Sequence, residues 1–168
     1  MSRPARPYQP VVIRPARVRV VPIASTLAGS ALGALPVIAS APALPPFGLL
    51  MMLAWRLLRP ELWPAWAGLP LGLADDLLTG QPLGSGMALW TAVFLAVDRI
   101  DNRLPWRDYW LDWSIAAVAL MVVMTGQLFA AGLALDMVPT MLPLIAMTIL
   151  CFPFAARFAA SLDRWRLA

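Results

Sequence analysis

Apolar residues in this chain come in long uncharged blocks, separated by short clusters that hold nearly all of its charge. Six blocks follow one another, at 20–41, 44–58, 62–79, 83–97, 113–135 and 138–160. Each approaches or reaches the roughly 20 residues that carry an α-helix across a bilayer. The pattern predicts an all-α integral membrane protein, a bundle of about six transmembrane helices. The second block is the shortest. Pro45 and Pro46 are tolerable at its first turn, and Arg56 is placed to snorkel from its end, so the segment is expected to be tilted or partly re-entrant. Between the third and fourth blocks the junction Gly80-Gln81-Pro82 is short enough to force an antiparallel pair.

The segments between the blocks complete the expected organisation. Residues 1–19 carry Pro4, Pro7, Pro10 and Pro15 among Arg3, Arg6, Arg14, Arg17 and Arg19, which predicts a flexible basic arm rather than helix. Ala39-Ser40-Ala41 imitates a signal-peptidase site. The block before it is longer than a usual signal core and Pro42 would follow the cut, so it is read as a retained span. A charged loop is expected at 98–112 and a short tail at 161–168.

Charge tests the count of spans, because positive residues near helix ends stay on the cytoplasmic side. With six spans every arginine falls on one side: five in the arm, then Arg56 and Arg59, then Arg99, Arg103 and Arg107, then Arg157, Arg164 and Arg166. Merging the second block into its neighbour would scatter them over both faces. Both termini are therefore expected in the cytoplasm. Trp55, Trp63, Trp66, Trp106, Trp110, Trp113 and Trp165 all lie near the cytoplasmic ends, where an amphipathic ring favours the interface. Trp90 falls mid-span and is expected to pack inside the bundle.

Composition narrows the class further. Hydrophobic residues make up 61% of the 168 and charged residues 13%, more apolar surface than a soluble core of this size can bury. The net charge of +4 comes without a basic domain, zinc pattern or RNA-binding motif, so nucleic acid is not an expected partner and membrane lipid is. Histidine is absent and Cys151 is the single cysteine, which removes the commonest general base, an internal disulfide and any multi-cysteine metal site. There is no Ser/His/Asp set and no phosphate-cradling glycine loop. Paired acids do occur in metal-dependent membrane phosphotransferases, but those need more carboxylates than the third block offers. The chain is expected to be a non-enzyme with no catalytic, cofactor-binding or metal-ligating residues.

Two groups of residues remain as candidate sites. Asp75 and Asp76 lie within the third block near its outer end, where ionisable groups normally face protein or water. They suit a proton or cation site, a polar contact to another chain, or an interhelical hydrogen bond within the bundle. Gly68 and Gly72 share a face with Asp75 and allow close approach of another helix, in the same chain or a partner; Ser25, Gly29 and Gly33 repeat the spacing in the first block. The second group is cytoplasmic: Arg99, Arg103, Trp106 and Arg107, in a mixed-charge loop that suits a partner, anionic headgroups or plain solvation.

The stretch from Gly72 to Gly84 resembles the signature of the MreD family of bacterial rod shape-determining membrane proteins. Asp76, Leu77, Leu78, Gly80, Pro82, Leu83 and Gly84 occupy the positions of its Asp-Leu-Leu-x-Gly-x-Pro-Leu-Gly pattern, and Asp75 is additional to it. The motif resemblance covers roughly 60–101. It implies a non-catalytic subunit of the elongasome in the inner membrane, associated with MreC and linking MreB filaments to RodA and its partner transpeptidase in side-wall peptidoglycan synthesis. It also implies similarity in helix arrangement to the substrate-binding subunits of energy-coupling-factor transporters. That makes a vitamin-type transport subunit the alternative, and an outer-face contact through Asp76 the expected scaffold site.

Overall fold

The structure, a computed structural model, describes residues 15–34, 44–103, 108–132 and 138–167. Six α-helices run in chain order: α1 Pro15–Gly33, α2 Phe47–Leu58, α3 Gly68–Thr79, α4 Ser85–Arg103, α5 Tyr109–Ala130 and α6 Val138–Leu167. Two single 3-10 turns, Pro60–Leu62 and Ala65–Ala67, join α2 to α3. No strand occurs among the described residues. The all-α expectation holds, and two of the helices, α5 and α6, are long and apolar enough to cross a membrane.

Several boundaries differ from those expected. α1 takes in residues from Pro15 onward, inside the stretch expected as a flexible arm. The third block is not one helix. Pro64 pushes Trp63 into an extended conformation (φ −115°, ψ 107°), so two 3-10 turns precede an α-helix of only 12 residues. At its other end α4 extends through Arg103, taking 98–103 into helix, and α6 absorbs most of the expected tail. The remainder of the arm, the Ala39-Ser40-Ala41 sequence with Pro42, Trp106, Arg107 and the turn at Asp136 lie outside the described residues.

α2 is the centre of the molecule. Ten of its 12 residues are buried, from Gly48 to Leu57, which is the signature of a helix apolar all round and enclosed by others. α1 and α6 flank it, α3 pairs with α4, and α5 closes the ring between α4 and α6. Leu49, Leu50, Met52 and Leu53 pack with Trp90 and Phe94 of α4 and Leu120 and Val123 of α5. The Phe94 and Trp63 rings meet in an edge-to-face arrangement at a centroid distance of 6.1 Å. Trp90 is fully enclosed. Trp55, expected at an interface, is fully enclosed too: its Nε1 donates to Ser25 Oγ of α1 at 2.8 Å, so the polar edge is satisfied inside the bundle.

The outside is apolar as well. Val118 and Val122 of α5, and Leu150, Phe154 and Phe158 of α6, are each more than half exposed.

Candidate functional site

The α3–α4 hairpin is built by glycines and one carboxylate. A Cβ placed on Gly72 would lie 2.4 Å from the Gly86 carbonyl oxygen, and one on Gly68 2.8 Å from Thr91 Cα. The two backbones are therefore in direct contact, and the glycine face is occupied by α4 of the same chain. Gly29 repeats this on α1, where a Cβ would meet the Phe47 carbonyl at 2.8 Å, whereas Gly33 faces open space.

Asp76 is buried and points into the start of α4. Its carboxylate accepts the backbone N–H of Gly84 and of Gly86 at 2.8 Å each, and the Ser85 hydroxyl at 3.3 Å. The Met87 N–H adds a longer contact at 3.5 Å. The carboxylate thus caps the N-terminus of the next helix, satisfying donors that have no intrahelical partner and meeting the positive end of the helix dipole. Gly80 closes α3 in the left-handed conformation (φ 70°), and Gly84 has φ 95°, which favours glycine. Pro82 is exposed at the turn, and its carbonyl accepts the Ser85 hydroxyl at 2.7 Å. Of the readings open for Asp76, the interhelical hydrogen bond is the one these contacts form.

Asp75, one residue earlier, turns about 100° away around the helix. It is buried beside Ser30 of α1, whose hydroxyl interacts with its carboxyl without a well-aligned hydrogen bond. Gly48 of α2 packs on the same serine. The two acids therefore serve different interfaces, α1–α3 and α3–α4.

A second polar assembly sits at the opposite end, where α2 ends. Arg56 is 2% exposed, and its guanidinium donates to Asp101 at 3.1 Å and to Asp98 at 3.3 Å, both on α4. It also lies over the Phe94 ring at 5.8 Å. Arg59 donates twice to Asp163 of α6, at 2.9 and 3.0 Å, and pairs with Glu61 at 3.5 Å. Arg166 meets the same Asp163 at 2.6 Å and stacks over Trp55 at 5.3 Å. The hydrogen bond and charge of Asp163 hold the Arg59 guanidinium above its ordinary pKa. Arg56, expected to snorkel outward, instead joins α2 to α4, while Arg59 joins α2 to α6.

Sequence reasoning missed Asp98, Asp101 and Asp163. One signal was present: Asp98 and Asp101 are three residues apart on one helix face, and an arginine in an otherwise apolar segment requires a partner. Arg99 and Arg103 lie on the other face of α4 and are exposed. Trp106 and Arg107, their expected companions, lie outside the described residues.

These features define an all-helical bundle with two membrane-length apolar helices, a carboxylate-capped hairpin at one end and an ion-pair clasp at the other. No family model, curated protein or solved structure matches the chain.

Proposed function

We propose that this chain is a multi-pass bacterial inner-membrane protein and a non-catalytic scaffold subunit of the elongasome, of the MreD type. Six passes put the arginine end in the cytoplasm and the capped hairpin at the outer face. The apolar exterior supports the membrane reading: within the membrane-length windows of α5 and α6 only 28% and 17% of residues are buried by the bundle, against the mostly buried state of a soluble core helix. The grouping of Arg56, Arg59 and Arg166 at one end supports the same orientation.

The observation that carries the elongasome reading is the division of tasks within the motif. Asp76, Gly80 and Gly84 build the hairpin. Leu77 and Leu83 remain 66% and 72% exposed at its tip, beside the exposed Pro82. In this reading the tip, rather than Asp76, meets an MreC-like partner, with RodA and its transpeptidase in the same assembly and MreB reached from the cytoplasmic side, where Arg99 and Arg103 are free to act. Affinity purification from native membranes tests it. An elongasome set recovered with the natural chain and lost with Leu77→Ala/Leu83→Ala supports the scaffold; co-purification of a transporter ATPase instead would overturn it.

One observation favours the transport alternative. A cavity of about 260 Å³ lies between the hairpin turn and α5 and α6, lined by Gln81, Gln127, Met124 and Met141, and the buried Gln81 Oε1 has no hydrogen-bond partner. A transport subunit would show ligand-dependent thermal stabilisation that Gln81→Leu removes.

A further inference from the structure

Beside the clasp lies a groove of about 840 Å³ between α1 and the segment leading into α3, with Arg19 and Trp63 towards the clasp end and Ile23, Leu27 and Leu71 along its walls. Trp66, 64% exposed, stands at its edge. From Arg19 to Leu27 the groove follows α1 for eight residues, about 12 Å of helix rise. That is close to half of the roughly 30 Å hydrocarbon thickness, the depth of one leaflet.

Its polar groups are uneven. Arg19 is exposed and has no carboxylate partner among the described residues. The Trp63 indole Nε1–H is a buried donor without an acceptor. Glu61 also lines the groove, but it faces Arg59 at 3.5 Å, which balances its charge. A cation and an orphan N–H donor above an apolar trough a leaflet deep are complementary to a phosphate carrying an acyl chain. They do not match a helix, whose backbone polar groups are already satisfied, or a free phosphate, which has no use for the trough.

We propose that this groove is a binding site for one anionic phospholipid of the cytoplasmic leaflet, its phosphate held by Arg19 and the Trp63 Nε1–H and one acyl chain lying along Ile23, Leu27 and Leu71. The inference rests on the membrane reading above. Bound lipid would fasten α1 to α3 at a place where the protein itself leaves a gap.

The test is native mass spectrometry of the full chain taken from bilayers of equal phosphatidylglycerol and phosphatidylcholine. The expected result is one retained lipid per chain, enriched in phosphatidylglycerol, with the enrichment falling about fivefold in Arg19→Gln. It also falls in Trp63→Phe, which removes the N–H donor together with part of the indole ring. Arg164→Gln, exposed and away from the groove, keeps it. Ile23→Trp, which fills the trough from an exposed position, abolishes retention while the melting temperature of the delipidated chain holds. Equal retention of the two lipids, or enrichment unchanged in Arg19→Gln and Trp63→Phe, would overturn the site while leaving the membrane reading intact. Release of the chain from membranes by alkaline carbonate would overturn both.

Discussion

The two ends of the bundle are fastened by opposite means. At the hairpin end one carboxylate collects backbone donors 8 to 11 residues away, and glycines let two backbones touch. At the clasp end, arginines of α2 reach aspartates 42 to 104 residues away on α4 and α6. The first device fixes a local turn. The second fixes which helices stand next to each other, since α4 and α6 must both meet the end of α2 before Arg56 can pair with Asp98 and Asp101 and Arg59 with Asp163. A buried cation is tolerated only in that converged state, so the clasp also discriminates against other packings.

This difference predicts a gradient of mutational effects, each readable as thermal or denaturant stability of the purified chain. Arg56→Met should be the most damaging, at about 3 kcal/mol, because it removes the buried cation that joins α2 to Asp98 and Asp101 of α4; half-exposed Asp98 limits the loss. Adding Asp98→Asn and Asp101→Asn to that variant should restore much of the stability, and a failure to do so would mean the arginine acts by packing alone. Gly72→Ala should cost about 2 kcal/mol, since its Cβ would meet a backbone carbonyl that has little room to yield. Asp76→Asn keeps one acceptor oxygen but loses the charge facing the helix N-terminus, and about 1 to 2 kcal/mol is expected. Arg99→Gln/Arg103→Gln should change stability by less than about 0.5 kcal/mol, because both side chains are exposed. A cost comparable to that of Arg56→Met would place these arginines in the clasp after all.

How far each end could be read from sequence follows from the same contrast. The hairpin was readable: Gly80 and Pro82 announce a turn, and Gly68 and Gly72 announce a close-packed face. The occupant of that face was not, because glycine spacing is the same whether the neighbour is α4 or another protein. Asp76 had its proper role among the alternatives, and its capping of α4 needed only Gly84, Ser85 and Gly86 to follow a tight turn. The clasp was invisible as a clasp. Arg56 read as a snorkelling end residue because its partners lie beyond two further segments. Trp55 read as interfacial for the same reason, since nothing local says that α2 is the central helix and that Ser25 waits for the indole. The break at Pro64 carried a local signal, but hydropathy outweighed it.

In the proposed topology these ends face opposite sides of a membrane. The most direct measurement is labelling of single cysteines with a membrane-impermeant maleimide in intact cells, in a Cys151→Ser background. One variant carries Gln81→Cys at the hairpin turn and the other Arg103→Cys at the clasp end. Labelling of Gln81→Cys in intact cells, and of Arg103→Cys only after permeabilisation, is the expected result. Labelling of both positions without permeabilisation, or the reverse order, would contradict it.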